Sequence, residues 1–357
     1  MSEAERKDER VRKQRWWQQA LSRPETGAVI TTIIAIAVFT WPIWECIGDS
    51  QACLANGFLT PRGISSWLDV AAQVGILAAA VSLLMIAGEF DLSVGSMIGA
   101  AGMVLALGLA EFDLPPLIAI IVAFAFALAV GFMNGWLVTR TRLPSFIVTL
   151  GMLFLLRGVT IGITRYLTGR TQVGGLRDLT ADSLIVEFFA GDVTFGAFKI
   201  KAAVFWWVIV TLVASWVLFK TTFGNWIFGT GGNQTAARNV GVPVRGVKIS
   251  LFMATAASAA LLGVNQVLTF GSADVLRGEQ KELEAIAASV IGGTLLTGGY
   301  GSPIGAFFGA LTLGMTKVGI PLAGLASDWY FAILGIVLLI AVLLSNWVRQ
   351  RGTGVRS

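Results

Sequence analysis

Apolar runs of about twenty residues recur along this chain, and they leave one class of fold open to it. The hydrocarbon core of a bilayer takes roughly 20 apolar residues of helix to cross. Runs near that length occupy 27–47, 66–87, 94–110, 115–138, 145–165, 201–220, 247–270, 284–297, 303–320 and 328–347. Of the 357 residues, 55% are hydrophobic and 13% charged, against about 25% charged in soluble domains. A transmembrane barrel would show short segments of alternating polarity, and these runs do not alternate. The chain reads as all-α, a polytopic helical membrane protein of about ten spans. The first apolar run starts near Gly27 behind a charged stretch and without a small-residue cleavage site, unlike a removable signal peptide.

Charge sets the expected topology. Seven basic residues lie in the first 23 positions, and Arg349, Arg351 and Arg356 close the chain. By the positive-inside rule both ends are expected in the cytoplasm, which suits an even number of spans. The basic connector "TRTRLPS" (139–145) then falls inside, as does the loop 221–247. The loops 48–65 and 166–200 fall outside and mix acids with bases. Three parts are expected: a basic cytoplasmic segment 1–26, a membrane domain 27–347, and a tail 348–357. Trp16 and Trp17 in "VRKQRWWQQAL" read either as a basic amphipathic helix on the lipid surface or as a solvated tail. The net charge of +5 is gathered at the ends and does not point to nucleic acid. Cys46 and Cys53 fall in an outside loop, where an oxidising compartment permits a disulfide; two free thiols fit equally.

No catalytic apparatus is visible. The chain has no histidine and no G-x-x-x-x-G-K-[ST] phosphate loop, so energy from ATP would come from another polypeptide. No metal site is expected.

Two places interrupt the apolar pattern. In "MIAGEFDLSVGSMIGA" (85–100) Glu89 and Asp91 stand between two greasy runs. A carboxylate at the centre of a lipid-embedded helix costs about 2.5–3.5 kcal/mol on insertion scales, so it needs protein, water or a cation beside it. Asp91 is placed to cap the helix that follows, where free N–H groups and the helix dipole favour an anion. A compatible reading has it line a passage with Glu89, Phe90 and Ser93 and accept hydrogen bonds from a solute. The second interruption is "IGGTLLTGGYGSPIGAFFGALTLGM" (291–315). No charge occurs from Ala285 to Thr316, yet eight glycines and Pro303 break the run, which is turn chemistry. Interrupted helices are expected near 88–94 and 297–303, with Gly298, Gly299 and Gly301 shaping the second and Thr297 and Tyr300 beside the passage. Each break is followed by "IGA" (Ile98–Ala100 and Ile304–Ala306), a short hint of an internal repeat such as transporters use around a midplane site.

Further polar groups fall inside spans. Arg157 is a natural partner for an acid, or a snorkelling cation. Gln73, Asn134, Asn265 and Gln266 read as interhelical hydrogen bonds or, for Asn265 and Gln266 near Phe270, as contacts for a polyhydroxylated solute. In "FGTGGNQTAARNVGVPVRGVK" (228–248) Asn233 is expected to cap a short helix that Gly241 ends. Its small Ala/Val face and Arg238 suit docking into a partner's groove, although a plain surface helix fits as well.

Taken together, these residues resemble the permease subunit of bacterial ABC importers for monosaccharides, the ribose/xylose/arabinose type. The likeness rests on "GEFDLSVGS" (88–96), "RLPSFIVTLGMLFLLRG" (142–158), "GGNQTAARNVGVPV" (231–244) and "ELEAIAASVIGGTLLTGGYG" (282–301), in order over most of the chain. The resemblance implies that Gly232, Asn233, Ala236, Ala237, Arg238 and Gly241 form a coupling helix seated on a separate ATP-binding subunit. It also implies that ATP and magnesium bind there rather than on this chain, and that a periplasmic sugar-binding protein delivers the solute. A pathway would run between two copies of the permease in the bacterial inner membrane. Glu89 and Phe90 depart from the family's usual Gly-Ile and would reshape the passage. A branched-chain amino acid permease, and an ion-coupled transporter or channel working alone, are the competing readings. The second would need coupling carboxylates deep in several spans. A membrane enzyme lacks any acid–base or metal cluster.

Overall fold

The computed structural model describes residues 24–40, 57–179 and 183–353. Cys46, Cys53, the basic stretch up to residue 23 and the last four residues lie outside those ranges. The helices α1 (Pro24–Thr40), α2 (Pro61–Ile86), α3 (Val94–Ala110), α4 (Pro116–Thr141) and α5 (Ser145–Thr168) come first. Strand β1 (Gln172–Val173), helix α6 (Leu184–Ala190), the hairpin β2 (Asp192–Phe195) with β3 (Phe198–Lys201), and α7 (Ala202–Lys220) follow. The chain continues through α8 (Thr222–Gly232), α9 (Gln234–Asn239), α10 (Val244–Phe270), β4 (Ala273–Asp274), α11 (Lys281–Ile291), α12 (Pro303–Leu322) and α13 (Tyr330–Thr353). Six helices, α2, α4, α5, α7, α10 and α12, are long and apolar enough to cross a membrane; α1, α3 and the stretch 327–343 are shorter and apolar.

Apolar character on every side predicts burial on every side, and α2 obeys. From Ala71 to Ile86 every residue except Gln73 is buried. Helices α7, α10, α11 and α12 pack around it, and α10 in turn packs on α3 and α4. Large apolar side chains of α4, α5, α7 and α13, such as Phe132, Phe154, Trp216 and Leu343, point outward, as a lipid-facing surface requires. Between helices the seams are closed by small residues, because lipid gives no hydrophobic drive for helix association and close van der Waals contact must serve. A Cβ on Gly135 of α4 would stand 2.6 Å from the Ile249 Cα of α10, and one on Gly309 of α12 only 2.0 Å from the Ala288 carbonyl oxygen of α11.

The run expected as a plain span over 284–297 folds otherwise. From Gly271 the chain runs in without helix, β4 pairing antiparallel with β1 through Gln172–Asp274 and Val173–Ala273. It then turns into α11, whose 11 residues extend about 16 Å at 1.5 Å per residue, half a bilayer. The glycines of α3 explain where this segment lies. A Cβ on Gly95 would meet the Glu282 carboxylate and, at 2.8 Å, the Gly278 carbonyl; on Gly99 it would meet the Val275 and Arg277 carbonyls at 2.7 and 2.9 Å. The "SVGSMIG" stretch is thus a groove for main chain. Gly95→Val should shift this segment and lower the melting temperature of the purified protein, by roughly 1–3 kcal/mol of overpacking. An unchanged melting temperature would contradict that packing.

Candidate functional site

Unwinding a helix inside a bilayer strands backbone groups that no water can satisfy. At the first break, 87–93, side chains of other helices supply the partners. Phe90 N–H donates to Ser145 Oγ at 3.0 Å, and Leu92 N–H to Thr149 Oγ1 at 3.1 Å. Both acceptors belong to "PSFIVTL" at the start of α5. Asp91 is 1% exposed and has three donors: Ser93 N–H at 3.0 Å, Ser93 Oγ at 2.6 Å and Thr255 Oγ1 of α10 at 2.6 Å. Asn134 of α4 donates to Ser93 Oγ at 2.9 Å. Asp91 does not cap α3 as expected. Ser93 holds the cap position with helical dihedrals and no side-chain cap bond, and the carboxylate instead closes a turn onto Ser93 and pins it to α4 and α10.

The second break spans 292–302. Gly293, Gly298, Gly299 and Gly301 all take positive φ, and Ser302 Oγ caps α12 by accepting from Ile304 and Gly305 N–H. Both breaks meet at one point. Gly299 N–H donates to the Ile86 carbonyl at 2.8 Å, at the end of α2. Gly231, near the end of α8, lies so close that a Cβ there would reach the same carbonyl oxygen at 1.8 Å and Gly299 N at 2.7 Å. The short helix α9 therefore begins on the junction of both breaks. Asn233 Oδ1 accepts Ala236 N–H at 2.9 Å, and Gly241, at φ +88°, turns the chain out of the helix. Gly232, Asn233, Ala236, Arg238 and Gly241 are exposed, whereas Ala237 is buried against Gly229. Ala237 thus packs α9 onto the protein, and Ala236 rather than Ala237 belongs to its outer face. Val240 adds an apolar side chain there, 81% exposed.

Halfway along α5, Arg157 donates to Glu279 of the inserted segment at 3.0 Å, not to Glu89 or Asp91. Glu279, Gln280 and Leu283 are exposed on this face. Twelve residues from the start of α5 is about 18 Å of helix, near the middle of the bundle, where polar groups cannot face lipid cheaply. Nearby, Glu284 accepts from Lys281 at 2.6 Å and Lys317 at 2.8 Å, tying α11 to α12. Glu89, buried, takes its hydrogen bond from Lys248 of α10. Asn265 donates to the Phe189 carbonyl and Gln266 to Gln73, while Gln266 Oε1 is buried with no hydrogen-bond partner. Thr297 is exposed and Phe90 and Tyr300 half-buried. Lys248 and the charges of 277–284 escape a reading that looks for polar residues inside spans. For 277–284 the signal was the density of charge around Gly278, wedged between two apolar runs.

Two cavities differ in kind. One of about 780 Å³, between α2, α4, α7 and α10, is lined by Leu83, Phe124, Phe189, Trp206, Val210 and Leu261, with almost nothing to bind hydroxyl groups. The other, about 500 Å³, carries Ser183, Glu187, Asp192, Lys201 and Thr269 at the β1–β4 end. Among the described residues no group of His, Cys, Asp or Glu could hold a metal ion.

A polytopic bundle with two satisfied helix breaks and charges at mid-depth defines the class as a membrane permease. The chain belongs to the family described as branched-chain amino acid transport system, permease component, which matches residues 63–343. It is similar to the ribose import permease protein RbsC of Escherichia coli, 33% identical over 82% of this chain and 88% of that one. It is likewise similar to the fructose import permease protein FrcC of Rhizobium meliloti, at 31% over 83% and 81%. The xylose transport system permease protein XylH of Escherichia coli is 30% identical over 90% and 92%. The chain is thus a transporter component rather than an enzyme.

Asp91→Ala should cost about 3 kcal/mol by stranding three donors, and Asp91→Asn about half that, read as melting temperatures in detergent. Thr149→Val, which leaves Leu92 N–H alone, should cost about 1–3 kcal/mol; no loss would show that the break has another acceptor.

Proposed function

We propose that this chain is the membrane-spanning subunit of an ATP-driven importer of a monosaccharide in a bacterial inner membrane. A separate ATP-binding subunit would press on α9, a periplasmic binding protein would deliver the sugar, and both chain ends would face the cytoplasm. The observation that carries the reading is the seating of α9 on the junction of both helix breaks. A push on its outer face, Ala236, Arg238 and Val240, has a direct route into the parts of the bundle that interrupt the spans. Relatives named for ribose, fructose and xylose support the solute class.

The pathway we propose runs past Arg157, Glu279 and Gln280. These groups are open to the side of the chain at mid-depth, where lipid contact is costly and a second copy or a water-filled passage is not. The Asp91 carboxylate, by contrast, is already engaged by Ser93 and Thr255. Charged and amide groups of this kind bind sugar hydroxyls through charge-assisted hydrogen bonds. One observation favours a second reading: the paired Arg157 and Glu279 also suit a zwitterion, in line with the family's description.

The test is ATP hydrolysis by the complex purified with its co-expressed partners and reconstituted in lipid. A pentose or hexose should stimulate it; stimulation by leucine alone would favour the amino acid reading. Ala236→Trp and Arg238→Glu should lower stimulated hydrolysis at least tenfold while the permease stays folded, and unchanged stimulation would remove α9 as the docking element. Glu279→Gln should slow sugar uptake by tenfold or more (about 1.4 kcal/mol) with assembly intact.

A further inference from the structure

Glu89 places a carboxylate inside the first break of this chain. It is 8% exposed, and its cation, Lys248, is 7% exposed. A buried charge of either sign without its partner is strongly destabilising, so the two side chains are obliged to stay together. They come from different elements, Glu89 from the break and Lys248 from the first turns of α10. Lys248 Nζ has a second partner, the Gln234 side-chain carbonyl at 3.2 Å. Gln234 is the first residue of α9. One ammonium thus bridges the break and the docking helix beside a seat built of glycine main chain: Gly88, Gly231, Gly298 and Gly299. Those glycines allow close approach but have no side chains to interlock, so side-chain contacts that can fix how α9 is rotated come from Ala237, packed at Gly229, and from the Gln234–Lys248 bond.

From this geometry we infer that Lys248 is a positioning residue that holds α9 in register with the first break. A displacement of α9 then moves 88–93 through Gln234, Lys248 and Glu89 as well as through the backbone seat. The inference rests on the reading of α9 as the element pressed by the ATP-binding subunit, and it assigns the side chains that pass the motion inward. Gln234 is the informative site, since it is partly exposed and carries no charge, and replacing it leaves the Glu89–Lys248 pair whole.

The experiment uses the full complex in lipid nanodiscs and follows hydrogen–deuterium exchange of the 87–93 amides with and without ATP and vanadate, a readout that needs no knowledge of the sugar. The unaltered complex should show an ATP-dependent change. In Gln234→Leu that change should fall at least threefold with the melting temperature unaltered, and Gln234→Glu, which keeps an acceptor, should restore it. Glu89→Gln should reduce it too. Uptake of labelled ribose, xylose or fructose per ATP hydrolysed should fall in parallel. A change in Gln234→Leu equal to that of the unaltered complex overturns the inference alone. No change in the unaltered complex overturns the reading of α9 and the inference with it.

Discussion

A helix that stops inside a bilayer leaves amide and carbonyl groups facing a medium with nothing to offer them, and each such group costs several kcal/mol unless protein replaces the missing water. Much of this structure follows from that demand. The break at 87–93 exists because Ser145 and Thr149 reach it from α5 and Asp91 folds back onto Ser93. The break at 292–302 exists because its glycines can take left-handed turns, because Ser302 caps α12, and because Gly299 donates to the last carbonyl of α2. Conserving hydrogen bonds in this way brings two distant pieces of chain to one spot, and α9 starts there.

Charge obeys the same logic. Among the described residues, three buried acids are met by donors from another element: Glu89 by α10, Asp91 by α10 and its own turn, Glu284 by α11 itself and α12; Glu282, 7% exposed, is the exception, its Oε2 having no hydrogen-bond partner. Such pairs are weak as net sources of stability but costly to separate. They therefore specify which elements stay adjacent, while glycine-lined seams set how near the helices come. Arg157 and Glu279 differ in remaining open to the side, and that openness distinguishes a group available to a solute from one used up in the scaffold.

The fold class was legible in the sequence because apolar runs of membrane length admit few solutions, and both breaks were legible from acids and glycines where greasy runs meet. Asn233 as a cap and Gly241 as a terminator were legible as well, since capping is local chemistry. The inserted segment was not. Its apolar residues after Ala285 read as a span, while its approach to α3 depends on Gly95 and Gly99, whose meaning appears only when the facing backbone is known. Asp91 looked like a cap by its distance from α3, yet Thr255 lies 164 residues away and wins the second carboxylate oxygen. Ala237 looked like part of a smooth docking face because six residues of helix do not show from periodicity which side is covered. The pairing of Arg157 with Glu279 and of Lys248 with Glu89 could not be assigned, since every acid nearby was a candidate.

The inserted segment is fastened twice along one edge: to β1, the strand that follows α5, by the β1–β4 ladder with its flanking bonds Leu176–Gly271 and Thr171–Val275, and to α5 itself by Arg157–Glu279 about halfway down. Two fastenings along one edge leave little freedom to hinge, so these pieces would travel as a single plank. The slack lies on the other flank, in the apolar hollow between α4, α7 and α10. Helices can tilt into such a space without exposing a polar atom, and a bundle with one stiff edge and one compressible edge swings in a preferred direction.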